Sequence, residues 1–278
     1  MRTVRYQGVE LPVSEGELLK LLEEQLGEHI PLVREIKRDI LGFMAEHNQI
    51  TGLGLSNKGL SSLPESFGNL MNLQTLNLRG NRLASLPANF FRLTNLQRLD
   101  LAVNQFTTLP ETFGNLSNLQ TLSLYENQLS TLSESFGNRT RLESLWLYDN
   151  QLSSLPESFG NLSSLKTLYL HENKLSSLPE SFGQLKKLET LWLQKNELNT
   201  LPENFGDLQN LQTLDLERNQ LQTLPESFGH LRNLKHLTLD HNSFSQGIVR
   251  LLTLLKGENE AVTTEIREVL AHINVSGR

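Results

Sequence analysis

A 23-residue period governs this chain. From Ile50 onward the pattern LxxLxLxxNxLxxLPxxFGxLxx returns at Leu73, Leu96, Leu119, Leu142, Leu165, Leu188 and Leu211, with a truncated copy at Leu234. A fixed period of roughly 20–50 residues marks units that cannot bury their apolar face alone and must stack on their neighbours. The 278 residues therefore read as one stacked array with two ends rather than as two compact domains.

The positions within one unit have separate physical tasks. In Leu142-Glu143-Ser144-Leu145-Trp146-Leu147 the leucines at positions 1, 4 and 6 point inward while positions 3 and 5 face out, the alternation of a short strand. Position 9 is asparagine from Asn81 to Asn242, and a buried amide there can satisfy backbone groups left unpaired by the bend after the strand. Phe67, Phe90, Phe113, Phe136, Phe159, Phe182, Phe205 and Phe228 recur once per unit and should stack as an aromatic spine. The Leu-Pro step at positions 14 and 15 (Leu63-Pro64 through Leu224-Pro225) fixes φ as the chain leaves the strand. The Phe-Gly that follows stops a long helix, which leaves short helical or extended turns on the outer side.

This pattern resembles the leucine-rich repeat. Its length resembles the 23-residue class of intracellular bacterial, archaeal and eukaryotic proteins that includes the Ras-group proteins, over residues 50–245. The resemblance implies an α/β right-handed solenoid with a parallel sheet on its concave face. It also implies a protein-binding scaffold, with small-GTPase regulation among the roles found in the class. Some bacterial relatives carry an appended ubiquitin-ligase domain acting through a cysteine, but this chain has no cysteine, so that activity does not carry over.

One unit departs from the pattern. Ser133 replaces the proline and Arg139 replaces an inward leucine, and a buried guanidinium is costly unless paired, so this turn is expected to bulge outward. The flanks read as caps, over residues 1–49 and 246–278. Ser14-Glu15-Gly16-Glu17 looks like a capping box opening a helix with Leu18, Leu21, Leu22 and Leu26 on one stripe, ended by Gly27. Leu41–Glu46, a His47-Asn48 turn and Gln49–Leu53 suggest a hairpin into the first repeat strand. At the far end, Ile248, Leu251, Leu252 and Leu255, then Val262, Ile266, Val269, Leu270 and Ile273, suggest two amphipathic helices closing the array.

Composition narrows the function. The formal charge is −6 with scattered Lys and Arg, against nucleic-acid binding. No apolar run is long enough for a membrane span, and the N-terminal MRTVRYQGVELPVSEGE lacks the apolar core of a signal peptide, so a cytoplasmic monomer is expected. Without cysteine, thiol catalysis and zinc–thiolate sites are excluded. Asp215, Glu217 and Asp240 fall on an open sheet rather than in a water-excluding cleft, and His236, Asp240 and His241 lack metal-ligand spacing, so no enzyme, metal or cofactor is expected.

Function should then be written on the concave face, at positions 3, 5, 7 and 8, which the array's own packing leaves free. Both tryptophans and three of the four tyrosines of the chain fall there, and such residues are the usual anchors of an interface. With strands about 4.8 Å apart and alternate residues about 6.7 Å apart, Tyr125, Trp146, Tyr148, Tyr169, His171 and Trp192 should form one exposed aromatic patch. Position 8 adds Glu126, Asp149 and Glu172, then Lys195, Arg218 and His241, an acidic edge that turns basic and would orient a partner. The expected function is recognition of a protein or peptide by these rings, with the three acids engaging a Lys or Arg. The alternatives are a glycan or small-ligand reader using the same shelf, or a purely structural module in which the stacked rings only stabilise the sheet.

Overall fold

The computed structural model describes residues 2–245, together with Ile248, Leu252, Val262 and Ile266. Among these residues the repeats form a solenoid. Each contributes one three-residue strand: β5 (Thr75–Asn77), β6 (Arg98–Asp100), β7 (Thr121–Ser123), β8 (Ser144–Trp146), β9 (Thr167–Tyr169), β10 (Thr190–Trp192), β11 (Thr213–Asp215) and β12 (His236–Thr238). They pair in parallel and in register, so residues 23 apart stand side by side, as in Asp100, Ser123, Trp146, Tyr169, Trp192 and Asp215.

The strands stay short because the chain bends sharply after each one. The residue at position 8 has φ between 51° and 57° in Asn57, Val103, Glu126, Asp149, Glu172, Lys195, Arg218 and His241, and Gly80 has 68°. This left-handed turn suits Asn and Gly and strains a β-branched residue such as Val103. The asparagine ladder closes the bend. Asn104 donates from Nδ2 to the carbonyls of Leu101 at 3.1 Å and Leu78 at 3.0 Å, and its Oδ1 accepts from the Leu83 amide at 2.9 Å, tying two successive turns together.

On the convex side each unit makes a short 3-10 helix, such as Glu65–Asn69 or Glu157–Asn161, entered through proline with φ between −64° and −71°. Ser133 adopts φ −77° and ψ 161° and opens Glu134–Asn138 in the same way, so proline is helpful there and not required. The glycine after each Phe serves tight stacking as well as helix termination: a Cβ on Gly160 would collide with the carbonyl oxygen of Ser181 in the next turn. The phenylalanine rings stack at 6.0–6.5 Å from Phe113 to Phe228. One interruption occurs where Phe91 takes the place of that glycine. Its ring wedges edge-on between Phe90 (5.8 Å) and Phe113 (6.2 Å).

The unit around Arg139 does not bulge. The guanidinium is fully buried and lies over the rings of Phe113 at 4.5 Å and Phe136 at 4.3 Å, while Nη1 donates to the Phe136 carbonyl at 2.6 Å. Two aromatic faces and the carbonyls of Phe136 and, at 3.5 Å, Ser135 accept the cation in place of a counter-ion, which is why the turn keeps its path. Nε and Nη2 have no partner.

The N-terminal segment holds one expectation and corrects another. The hairpin of β3 (Gly42–Glu46) and β4 (Gln49–Gly54) turns at His47 and Asn48, both with positive φ, and β4 pairs with β5 to start the parallel sheet. The capping box is absent. A hairpin of β1 (Thr3–Tyr6) and β2 (Val9–Pro12) runs directly into α1 (Val13–Leu26), whose N-cap Pro12 makes no side-chain cap. Glu15 instead turns inward and accepts the Ile50 amide at 2.8 Å, fastening the helix to the first repeat. The buried stripe is Leu18, Leu19 and Leu22, and Leu21 is exposed. Gly27 closes the helix in the left-handed conformation, as expected. The two C-terminal helices fall outside the described residues, apart from Ile248, Leu252, Val262 and Ile266, all buried.

Candidate binding face

The concave face is free along only part of its length. Residues 31–41 fold back across the first strands as a strap. Asn77 Nδ2 donates to the carbonyls of Lys37 (3.2 Å) and Arg38 (2.7 Å), and Asn57 donates to Asp39 at 3.2 Å. The strap explains two glycines at outward positions: a Cβ on Gly54 would strike the Ile40 carbonyl, and one on Gly52 would lie 2.9 Å from Met44 Sδ and 3.0 Å from Ile36. The expectation that packing leaves every outward position free is therefore corrected. Packing dictates Gly52, Gly54 and Asn77, and backbone conformation restricts position 8 throughout.

Beyond the strap the six aromatic residues come together in two files. At position 7, Tyr125 stacks on Tyr148 at 4.4 Å and Tyr148 on His171 at 4.5 Å, with ring planes within 10°. At position 5, Trp146 stacks on Tyr169 at 6.2 Å, and Trp192 meets Tyr169 edge-on at 5.2 Å. His171 and Trp192, 5.7 Å apart, join the files. In-register strands enforce these spacings, since side chains 23 residues apart cannot separate by more than the strand interval plus a rotamer. The rings line an open groove of about 610 Å³ together with Arg38, Asp100 and Ser123.

Exposure is graded along the groove. Trp192 is 36% exposed, Trp146, Tyr148, Tyr169 and His171 are half-buried, and Tyr125 is buried at 8%. Tyr125 is thus a wall of the patch rather than part of its exposed surface. The Arg79 guanidinium lies 4.9 Å over its ring and donates to its hydroxyl, and Arg38 from the strap donates to the same oxygen at 3.2 Å. Burial, with Tyr125 and the Glu126 charge beside it, pushes the Tyr148 hydroxyl pKa up, and desolvation between rings holds the His171 imidazole below its usual 6.5.

The three acids do not form a uniform edge. Glu126 and Asp149 are exposed and make no ion pair among the described residues, whereas Glu172 pairs with Lys195 at 2.5 Å. The basic continuation is also partly internal: Glu217 pairs with Arg218 at 3.2 Å and His241 at 3.6 Å. Of the other residues lining the groove, Asp100 and Ser123 lie in the repeat columns but carry no aromatic signal. Arg38 lies in the strap, outside any repeat register, where no periodicity could place it.

Among the described residues no group of three or more His, Asp or Glu side chains could hold a metal ion, and no helix is long and apolar enough to cross a membrane. No curated protein matches the chain. Several solved structures do. The plant peptide hormone receptor RGFR1 in complex with RGF2 is similar at 34% identity and a TM-score of 0.59, over 70% of this chain and 36% of that one. The leucine-rich-repeat ectodomain of the membrane receptor kinase GASSHO1/SCHENGEN3 from Arabidopsis thaliana, in complex with CASPARIAN STRIP INTEGRITY FACTOR 2, is similar at 33% identity and 0.60, over 73% and 29%. A TDR receptor is similar at 32% and 0.65, over 73% and 37%. The chain thus spans well under half the length of each receptor chain. A model of the leucine-rich repeat region matches residues 34–145 and 189–271, and a leucine-rich repeat model matches 140–198. With the period, the parallel concave sheet and the asparagine ladder in agreement, the chain belongs to the leucine-rich-repeat family.

Proposed function

We propose that this protein is a non-catalytic scaffold that binds a protein or peptide segment on its concave face, through Trp146, Tyr148, Tyr169, His171 and Trp192, with Tyr125 as a fixed wall. The observation that carries the reading is the gathering of six rings into one groove beyond the strap, its exposed limit at Trp192. Aromatic side chains at the centre of a surface supply most of the affinity in protein complexes, and this much unpartnered aromatic area has a use. Glu126 and Asp149, uncompensated at the rim, would engage a Lys or Arg of the partner; Glu172 would do so only by releasing Lys195.

The plant receptors support the reading, since two of them are described in complex with RGF2 and CASPARIAN STRIP INTEGRITY FACTOR 2. The 23-residue period and the LP…FG turn support placing the chain in the intracellular Ras-group-like class, as a cytoplasmic monomer with a role in signalling or small-GTPase regulation. We assign residues 1–49 and 246–278 to the caps and 50–245 to the array.

The test is a pull-down from cell extract with the wild type and a variant carrying Trp146→Ala, Tyr169→Ala and Trp192→Ala, both first shown folded by circular dichroism. A partner captured by the wild type and lost in the variant is expected. A partner retained by the variant overturns the assignment, and saturable binding on a glycan array with no protein partner would transfer the groove to a sugar.

A further inference from the structure

The groove is electrically polarised along the solenoid axis. At its strap end stand three guanidinium groups, Arg38, Arg79 and Arg98, around the carboxylate of Asp100. Arg38 and Arg98 are exposed, and none of the three makes an ion pair among the described residues. Asp100 is half-buried and accepts the Ala102 amide at 3.0 Å; burial raises its pKa, while the charges of Arg79 and Arg38 pull it down. With Lys37 held by Glu35 and Asp39 beside Arg38 in the strap, the three guanidinium groups outnumber the carboxylates Asp100 and Asp39 by one.

The opposite end carries the opposite sign. In the two columns that hold the rings, the residues after Trp192 and Gln194 are Asp215 and Glu217, followed by Asp240. Asp215 and Asp240 make no ion pair among the described residues, whereas Glu217 is held by Arg218 and His241. Burial pushes the pKa of Asp215 up, and the neighbouring charges of Glu217 and Asp240 push in the same direction; the cations at this end, Arg218 and His241, sit on the rim and are turned to Glu217 rather than to Asp215 or Asp240. Between the two ends lie the rings of Trp146, Tyr169 and Trp192. Five strand intervals separate β6 from β11, about 24 Å.

We infer that the groove takes one amphipathic helical segment of a partner protein, lying along the solenoid axis with an acidic end on Arg38, Arg79 and Arg98, an apolar middle on the rings and a basic end on Asp215 and Asp240. The inference rests on the proposed aromatic binding face and adds the charge order of its occupant. At 1.5 Å per residue, 24 Å corresponds to about 16 residues of helix. Helical spacing also suits the rim: side chains at i and i+3 or i+4 advance about 4.5–6 Å, close to the single strand interval of about 4.8 Å between the unpaired Glu126 and Asp149, whereas alternate residues of an extended strand advance about 6.7 Å. Opposite charges at the ends fix direction and reject uniformly charged segments, because like charges facing each other across an interface repel.

The experiment uses the full chain and three fluorescein-labelled 16-residue helical peptides with the same Leu/Phe middle: Glu at one end and Lys at the other, Glu at both ends, and Lys at both ends. By anisotropy at low salt the dipolar peptide should bind at least about tenfold more tightly than either uniform one, the gap narrowing at high ionic strength. Arg38→Glu with Arg98→Glu should move the preference to the peptide with Lys at both ends. Because the chain has no cysteine, a spin label on Arg34→Cys reports direction, and it should broaden the resonances of the Glu end alone. Equal affinities, no binding by any peptide, or an order untouched by the double reversal would overturn the inference. If the three peptides bind equally and all lose affinity in the variant lacking Trp146, Tyr169 and Trp192, the charge order fails while the aromatic face stands.

Discussion

Replacing Arg139 by leucine should make this protein more stable. The seven described turns that carry leucine at the equivalent place, Leu70, Leu93, Leu116, Leu162, Leu185, Leu208 and Leu231, bury it completely. Arg139 occupies the same hole with a charge. Burial drives its pKa from 12.5 to about 9, which at 1.36 kcal/mol per pH unit is a penalty on the charged form of about 5 kcal/mol. Nε and Nη2 bear donors with no partner, and each buried unpaired group costs about 1–3 kcal/mol, a cost that overlaps the first rather than adding to it. Against this stand the two ring faces, at up to about 2 kcal/mol each when desolvated, and the charge-assisted bond to the Phe136 carbonyl, whose strength is already part of the balance. Leucine would remove the penalty and keep most of the apolar burial.

The net expectation is a gain of about 1–3 kcal/mol, or a rise in Tm of several degrees for an array of this size. Thermal and urea unfolding of the wild type and Arg139→Leu measure it directly. Arg139→Lys is the control. Lysine keeps the charge but loses the planar stacking between Phe113 and Phe136, so it should be less stable than the wild type. A leucine variant that melts at or below the wild type would refute the reasoning, by showing that the two rings hold the guanidinium at no net cost.

Three further outcomes follow from the same packing. Asn150→Ala should cost at least about 2 kcal/mol by urea denaturation, because it strands the Leu129 amide and removes one of two donors to the Leu124 and Leu147 carbonyls. Val103→Asn should stabilise the chain by about 1 kcal/mol in the same assay, since a β-branched residue is held there at φ 56° where Asn57 and Gly80 sit in other turns. His171, whose pKa is depressed by burial between rings, is neutral in the folded chain at a pH where the unfolded chain already binds a proton. Stability should fall as pH drops below about 6.5 and level off once the folded pKa is passed; His171→Gln should flatten that slope, and the His171 imidazole NMR titration should centre below 6.5.

What could be read from the amino-acid order, and what could not, divides along a physical line. Interactions between equivalent positions of successive units repeat with the period, so the inward leucines, the asparagine ladder, the phenylalanine spine and the neighbourhood of the six concave rings all follow from knowing that residues 23 apart are adjacent. Interactions that cross the period leave no such trace. The strap reaches Tyr125 across 87 residues through Arg38, and it can be inferred from the sequence only indirectly, in Gly52 and Gly54, two outward positions with no side chain at all. Arg139 misleads for a related reason: a polar residue in a core column predicts expulsion when its neighbours are aliphatic, but here the column beside it is phenylalanine, whose faces accept a cation. The same distinction applies to the binding face. The aromatic files repeat and are legible, whereas the charges at their two ends come from a non-repeating strap and from single substitutions in the columns. The part of the groove to which we assign the choice of partner is therefore the part the period does not write.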